Sequence, residues 1–221
     1  MPKRKILYKK TQIDNSHNKK QKNNETENEC PDENTQHDLV TYDENHIYFY
    51  DDVNTENILT LIKYIKTLNM KLLLTKTEFE IKYDSTINLY IYLHINSNGG
   101  YITDALAAID YIKKSKIPII SIIDGYAASA ATLLSIVCYK RQMSNYSSML
   151  IHQLSGYSWG TYEQMNDDHE NNVYLQNLMK QLYIEHSNGK LNDKKLDNVL
   201  KKDILWNPTK CLQNGLVDEI V

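Results

Sequence analysis

Ile117-Pro118-Ile119-Ile120-Ser121-Ile122-Ile123-Asp124-Gly125-Tyr126-Ala127-Ala128-Ser129-Ala130-Ala131 passes from a solid apolar, β-branched run into a string of small residues. The run Ile117–Ile123 has the composition of a strand covered on both faces. The alanine-rich segment Ala128–Tyr139 then predicts a helix. Upstream, Tyr101–Lys114 carries Ile102, Ala105, Leu106, Ile109 and Ile112 at helical spacing. Before it, Ile87–Ile95 alternates Ile87, Leu89, Ile91, Leu93 and Ile95 as a strand with one apolar face. Asn54–Leu68 predicts a helix with Ile58, Leu61, Ile62, Ile65 and Leu68 on one side, preceded by a strand at His46–Tyr50. Met70–Thr86 fits no clear element and reads as an excursion. Downstream come a short strand at Ser147–Ile151, a long helix from Tyr162 to His186 and a short helix at Lys194–Leu200. Asn207-Pro208 reads as an N-cap followed by proline at the first helical position. Strands alternating with helices predict an α/β fold on a parallel sheet.

The 221 residues, 41% of them hydrophobic, suffice for one domain with a sizeable core. Between Lys9 and Asp38 the only apolar side chains besides Pro31 are Ile13 and Cys30, too few to offset the entropy of ordering. Residues 1–44 are therefore expected to be a disordered polar tail and residues 45–221 the folded domain. Lys3-Arg4-Lys5 reads as a solvated charge cluster. A net charge of −3 supplies no basic excess for a phosphate backbone, so nucleic acid is not an expected partner. Cys30, Cys138 and Cys211 are widely spaced with no CxxC pair, which predicts reduced thiols and no zinc site. No apolar run approaches the roughly 20 residues that span a bilayer, and Met1–Lys10 lacks a secretory apolar region. The expectation is a soluble, cytoplasmic protein without metal or membrane. Seventeen tyrosines against two phenylalanines, with arginine only at Arg4 and Arg141, follow AT-rich codons and carry no functional reading.

Four places carry candidate chemistry. Ser129 falls where the buried strand gives way to a helix, in a tight turn that Gly125 and small neighbours allow, with the positive end of a helix dipole behind it. That is the logic of a nucleophile elbow without the GxSxG spacing, although on this stretch alone a small residue letting a helix approach a sheet is the favoured explanation. Asn96-Ser97-Asn98-Gly99-Gly100 lies between strand and helix, where glycines can turn backbone N–H groups toward an oxyanion or a phosphate. It matches neither GxGxxG nor GxxxxGK[ST]. Met149-Leu150-Ile151-His152-Gln153 sets an imidazole at a strand end, where it can serve as a general base or as an ordinary surface residue. Asp203, between a lysine-rich helix and Ile204-Leu205-Trp206, reads on its own as a solvated carboxylate.

Taken in order, these features make the chain from about His46 to Val221 resemble the proteolytic subunit of Clp protease, a family of serine peptidases in the crotonase-like superfamily. Ile95–Gly100 is similar to the family's I-N-S-P-G-G, Gly125–Ser129 to its G-x-A-A-S, and Met149–Gln153 to its M-[IL]-I-H-Q. Gly215-Leu216-Val217-Asp218 is similar to its closing G-L-V-D, and counting back from Gly215 without a gap puts Asp203 at the position of the family's triad acid. The resemblance implies an α/β, crotonase/ClpP-like fold of repeated ββα units, with a parallel-sheet core and the Tyr162 helix as a protruding handle. It implies Ser129 as nucleophile, His152 as general base and Asp203 as the carboxylate that fixes the imidazole tautomer. Backbone N–H groups of Gly100 and Ala130 would form the oxyanion hole, and Gly99, Gln153 and Leu154 would touch substrate. Extended peptide would add as a strand along the segment that leads through Gly156–Gly160 into the handle.

The activity implied is endopeptidase cleavage of unfolded proteins and short peptides inside a homo-oligomer of two stacked heptameric rings, with no metal or bound cofactor. ATP would be used only by a separate AAA+ unfoldase. Against that partner, Lys9–Glu44 holds no recognisable counterpart of the family's axial-loop segment. Other departures are Asn98 and Leu154 in place of prolines, and Ala130-Ala131 in place of a bulkier residue and glycine. A catalytically silent ring subunit would not need all three triad positions, and an acyl-CoA enzyme of the same superfamily would not call for the Ser129 and His152 motifs.

Overall fold

The isoleucine-rich run forms β4, Ile119–Ala128, in the middle of a seven-stranded sheet. The structure, a computed structural model, describes residues 39–221. The expected features at Lys3–Lys5, Cys30 and residues 1–38 lie outside the described residues. On one side of β4 stand β3 (Ile91–Ser97), β2 (His46–Phe49) and β1 (Val40–Asp43), and on the other β5 (Lys140–Met143) and β7 (Glu219–Ile220). Every pairing is parallel except β1 with β2. The second half of β4, Tyr126–Ala128, pairs with β6 (Ser148–Leu150), so β4 bridges two short neighbours in succession. Parallel strands joined through helices give the mixed α/β architecture that the sequence pattern predicts, consistent with the ClpP-like fold that the resemblance implies.

Helices α1 (Thr55–Tyr83), α2 (Ile102–Lys113) and α3 (Ala130–Ile136) carry the apolar stripes that cover the sheet. In α1 the buried side chains are Ile58, Leu61, Ile62, Ile65 and Leu68, each contributing about 1.5–3 kcal/mol of burial. The Asn54 side chain accepts from the Asn57 N–H and caps the start. α4 (Tyr162–His186) opens with a capping box between Thr161 and Gln164. It is exposed from Tyr162 to Tyr174 and packs on the core through Met179, Leu182, Tyr183 and the partly buried Ile184, the form of a protruding handle. α5 (Asp193–Leu200) and α6 (Pro208–Gln213) complete the fold, with Asn207 capping α6 and Pro208 in its first turn.

Several boundaries differ from expectation, each for a physical reason. The excursion read at Met70–Thr86 is helix: α1 continues to Tyr83 and stops where Asp84 turns left-handed at φ 46°. Beyond Leu68 no residue of α1 is fully buried, so the apolar stripe ends while good helix formers continue the helix. The alternation from Ile87 begins before the strand does, because β3 finds its partners only from Ile91. Gly125 makes no turn. β4 runs through it to pair with β6, and the chain turns at Ser129 instead. β5 and β7 were invisible to periodicity, being Lys-Arg-Gln-Met and Glu-Ile. Residues 40–43, inside the stretch read as tail, pair with β2 and belong to the sheet. Cys138 and Cys211 are buried free thiols. Among the described residues no helix is long and apolar enough to cross a membrane.

Candidate active site

Ser129 follows the last residue of β4 and precedes α3, with φ 52° and ψ −128°. A non-glycine residue there costs roughly 1–3 kcal/mol and persists only where the surroundings over-determine it. They do so here. The Ser129 N–H donates to the Leu150 carbonyl of β6 at 2.8 Å. Its carbonyl accepts from the Thr132 N–H at 3.0 Å and from the Thr132 hydroxyl at 2.6 Å. β6, held beside β4 by this pairing, then delivers His152 two residues beyond Leu150.

The double glycine closes the other wall. Gly99 has φ 93°, and a Cβ there would stand 2.5 Å from the Ala128 carbonyl oxygen and 2.8 Å from Ser129 Cβ. Only glycine lets this loop lie against the serine turn. Both Gly99 backbone groups are engaged, its N–H with Ser97 Oγ at 3.1 Å and its carbonyl with the Val53 N–H at 2.7 Å. Val53 forms a parallel bridge with Gly100 through Gly99 O and Tyr101 N, which leaves the Gly100 N–H pointing away from Val53. The Ala130 N–H lies at the start of α3, where amides have no acceptor within the helix. Gly100, Ser129, Ala130, His152, Gln153 and Leu154 all line one small cavity of about 40 Å³. A wider groove of about 530 Å³ continues from Gln153 and Leu154 along α4, past Gln176 and Lys180. The Gln153 N–H donates to Leu200 O at 2.8 Å and the Leu154 N–H to Gln176 Oε1 at 2.7 Å.

Asp203 stands apart from that cavity. Its carboxylate is 80% exposed and lies 3.8 Å from His152 Nδ1, beyond hydrogen-bond reach. No hydrogen bond joins the Ser129 hydroxyl to the His152 ring among the described residues. The loop that carries Asp203 is nevertheless pinned on both sides of the histidine. Leu200 O accepts from the Gln153 N–H, and Trp206 exchanges two hydrogen bonds with Met149 at 2.7 and 2.9 Å. The acid is thus tethered next to the imidazole at a distance that a small movement of one exposed side chain spans.

Two features escaped the sequence reading. On the sheet face, His46 Nδ1 meets His94 Nε2 at 2.9 Å, His94 Nδ1 meets Asp124 at 2.8 Å, and the Tyr50 hydroxyl donates to the same carboxylate at 2.5 Å. Burial pushes the Asp124 carboxyl up, yet the His94 and Tyr50 hydrogen bonds outweigh it and hold it below its ordinary range. The period-two placement of His46, Tyr48 and Tyr50 opposite Tyr92 and His94 was the available signal. The second is Thr132, buried beneath the serine turn and bonded to Tyr183 of α4 at 2.5 Å. A buried tyrosine hydroxyl needs a partner, but nothing in sequence spacing names it.

A parallel-sheet domain with a serine at a strained strand-to-helix turn, an imidazole on the same cavity and, among the described residues, backbone N–H groups of Gly100 and Ala130 without an acceptor has the parts of an acyl-transfer catalyst. The family model of Clp protease matches residues 41–221, and the chain belongs to the Clp protease family. Members of this family form oligomeric rings and act on polypeptides, so the chain is a ClpP-like peptidase in class.

Proposed function

We propose that the chain is a serine endopeptidase in which Ser129 attacks the scissile carbonyl, His152 takes and returns the proton, and Asp203 orients the imidazole. The observation that carries this reading is the shared cavity, which has the Ser129 turn, His152, Gly100 and Ala130 on its walls. The serine hydroxyl is a poor nucleophile without a base, and the developing oxyanion needs preorganised donors, each contributing about 3 kcal/mol. Gly100 and Ala130 offer unpaired N–H groups for that purpose. Substrate would enter along the groove beside Gln153 and Leu154.

Assembly completes the site in this reading. Exposed Tyr162, Met165, Val173 and Tyr174 on the free part of α4 support burial of the handle between two stacked heptameric rings. Packing at that interface would bring the exposed Asp203 onto His152 and close the 3.8 Å gap. Buried free Cys138 and Cys211 support a reducing, cytoplasmic setting. Polypeptides would enter as short or unfolded chains, or be fed by a AAA+ unfoldase. Size exclusion coupled to cleavage of a fluorogenic peptide tests this: hydrolysis should travel with the high-mass oligomer. Hydrolysis confined to monomer, or absent from an assembled ring, would contradict it.

A further inference from the structure

Thr132 and Tyr183 lie outside the three proposed catalytic side chains, yet both are buried directly beneath the serine turn. Thr132 is 0% exposed and Tyr183 1%. Ser129 O can only accept, so the Thr132 hydroxyl donates to it over 2.6 Å. That uses the one proton of Thr132, and the contact between the two hydroxyls at 2.5 Å must then be donated by Tyr183. The result is a directed chain from the root of α4 through α3 to the Ser129 carbonyl.

That carbonyl belongs to the same peptide unit as the Ala130 N–H. The unit is planar and trans, so the N–H points opposite to the C=O. Fixing Ser129 O from the interior therefore fixes the direction in which the Ala130 N–H leaves on the cavity side. A hydroxyl donating to the carbonyl also polarises the amide, and successive hydrogen bonds strengthen one another. We infer that Thr132 and Tyr183 are positioning residues of the oxyanion hole, aiming and strengthening the Ala130 N–H through the Ser129 carbonyl. The inference rests on the peptidase reading above. Its alternative is that the pair merely satisfies a buried tyrosine hydroxyl, in which case only stability depends on it.

The two are separated by steady-state kinetics on the assembled full chain with a fluorogenic peptide, alongside affinity for a peptide aldehyde that forms a tetrahedral adduct. Oxyanion contacts act in the transition state, so their loss appears in kcat and not in KM. Thr132→Val should lower kcat about tenfold with KM within about twofold and weaken aldehyde binding by a similar factor, a fraction of the loss of a direct donor. Thr132→Ser, which keeps the hydroxyl, should restore kcat to within about twofold, and Tyr183→Phe should cost about threefold. Lower Tm with unchanged kcat in Thr132→Val and Tyr183→Phe would overturn the inference. Should Thr132→Val fail to assemble, Tyr183→Phe, which removes a single oxygen, decides alone. A wild type that forms no adduct with a fluorophosphonate overturns the underlying peptidase reading, and the inference with it.

Discussion

Replacing His152 with alanine is expected to lower peptide hydrolysis by about 10⁴-fold or more while the protein still assembles. The imidazole stands on the cavity wall beside Ser129, and among the described residues no other titratable side chain lines that cavity. The strand end that carries it is secured by backbone bonds: Met149 with Trp206 and Gln153 with Leu200. None of these uses the His152 side chain, so its removal should leave the cavity walls standing. Without a base the Ser129 proton has nowhere to go, and only the oxyanion donors and substrate binding continue to contribute. The check is cleavage of a fluorogenic peptide by variant and wild type matched in oligomeric state. A loss smaller than tenfold would remove His152 from the mechanism.

The second large effect concerns stability. Arg141 is 4% exposed and ties together three chain segments. Its Nε donates to Asp218 Oδ2 at 2.8 Å, a second nitrogen pairs with Asp218 Oδ1, and its remaining nitrogen donates to the carbonyls of Gly215, at 2.9 Å, and His186. The end of α4, the turn after α6 and the approach to β7 thus converge on one guanidinium. Arg141→Ala would leave the Asp218 carboxylate only the residue 141 backbone N–H and Asn188 as donors and would strip the Gly215 and His186 carbonyls of the guanidinium, at a cost of about 3 kcal/mol. That is a large share of the roughly 5–15 kcal/mol that holds a typical domain together. Burial pushes the Asp218 carboxyl up, but hydrogen bonds and charge from Arg141 outweigh it and leave it below its ordinary value of 3.8. A depressed folded-state value means the contribution is present above the unfolded value and is lost as pH falls through the folded one. Thermal unfolding should therefore show acid sensitivity below about pH 4 that weakens in Asp218→Asn. A Tm for Arg141→Ala within a degree or two of wild type would contradict this account.

The same residue shows what was legible in the sequence. Gly215–Asp218 stood out as a motif, but its partner did not, because Arg141 sits in a short polar strand with no periodic signal. In a chain that otherwise uses lysine, arginine occurs within the described residues only at this bidentate site, where an ammonium could not match the carboxylate fork. Burial on one face made α2 and the start of α1 readable, and burial on both faces made the centre of β4 so. Where that face is missing, in α1 beyond Leu68, the helix is real but silent. The strand-to-helix turn before α3 was legible, but the joint assigned to Gly125 lies at Ser129 itself, whose strained backbone is held by Thr132 and, from β6, by Leu150. Long-range constraints of this kind leave no local pattern. The exposed position of Asp203, 3.8 Å from His152 Nδ1, likewise has no signal in the local sequence.

The central claim is that Ser129 is an activated nucleophile. It is tested most directly by intact-mass spectrometry of the assembled protein after treatment with a fluorophosphonate, with Ser129→Ala alongside. The account predicts one adduct per chain in wild type and none in the variant. An unmodified wild-type ring, or an adduct that survives the loss of Ser129, would contradict it.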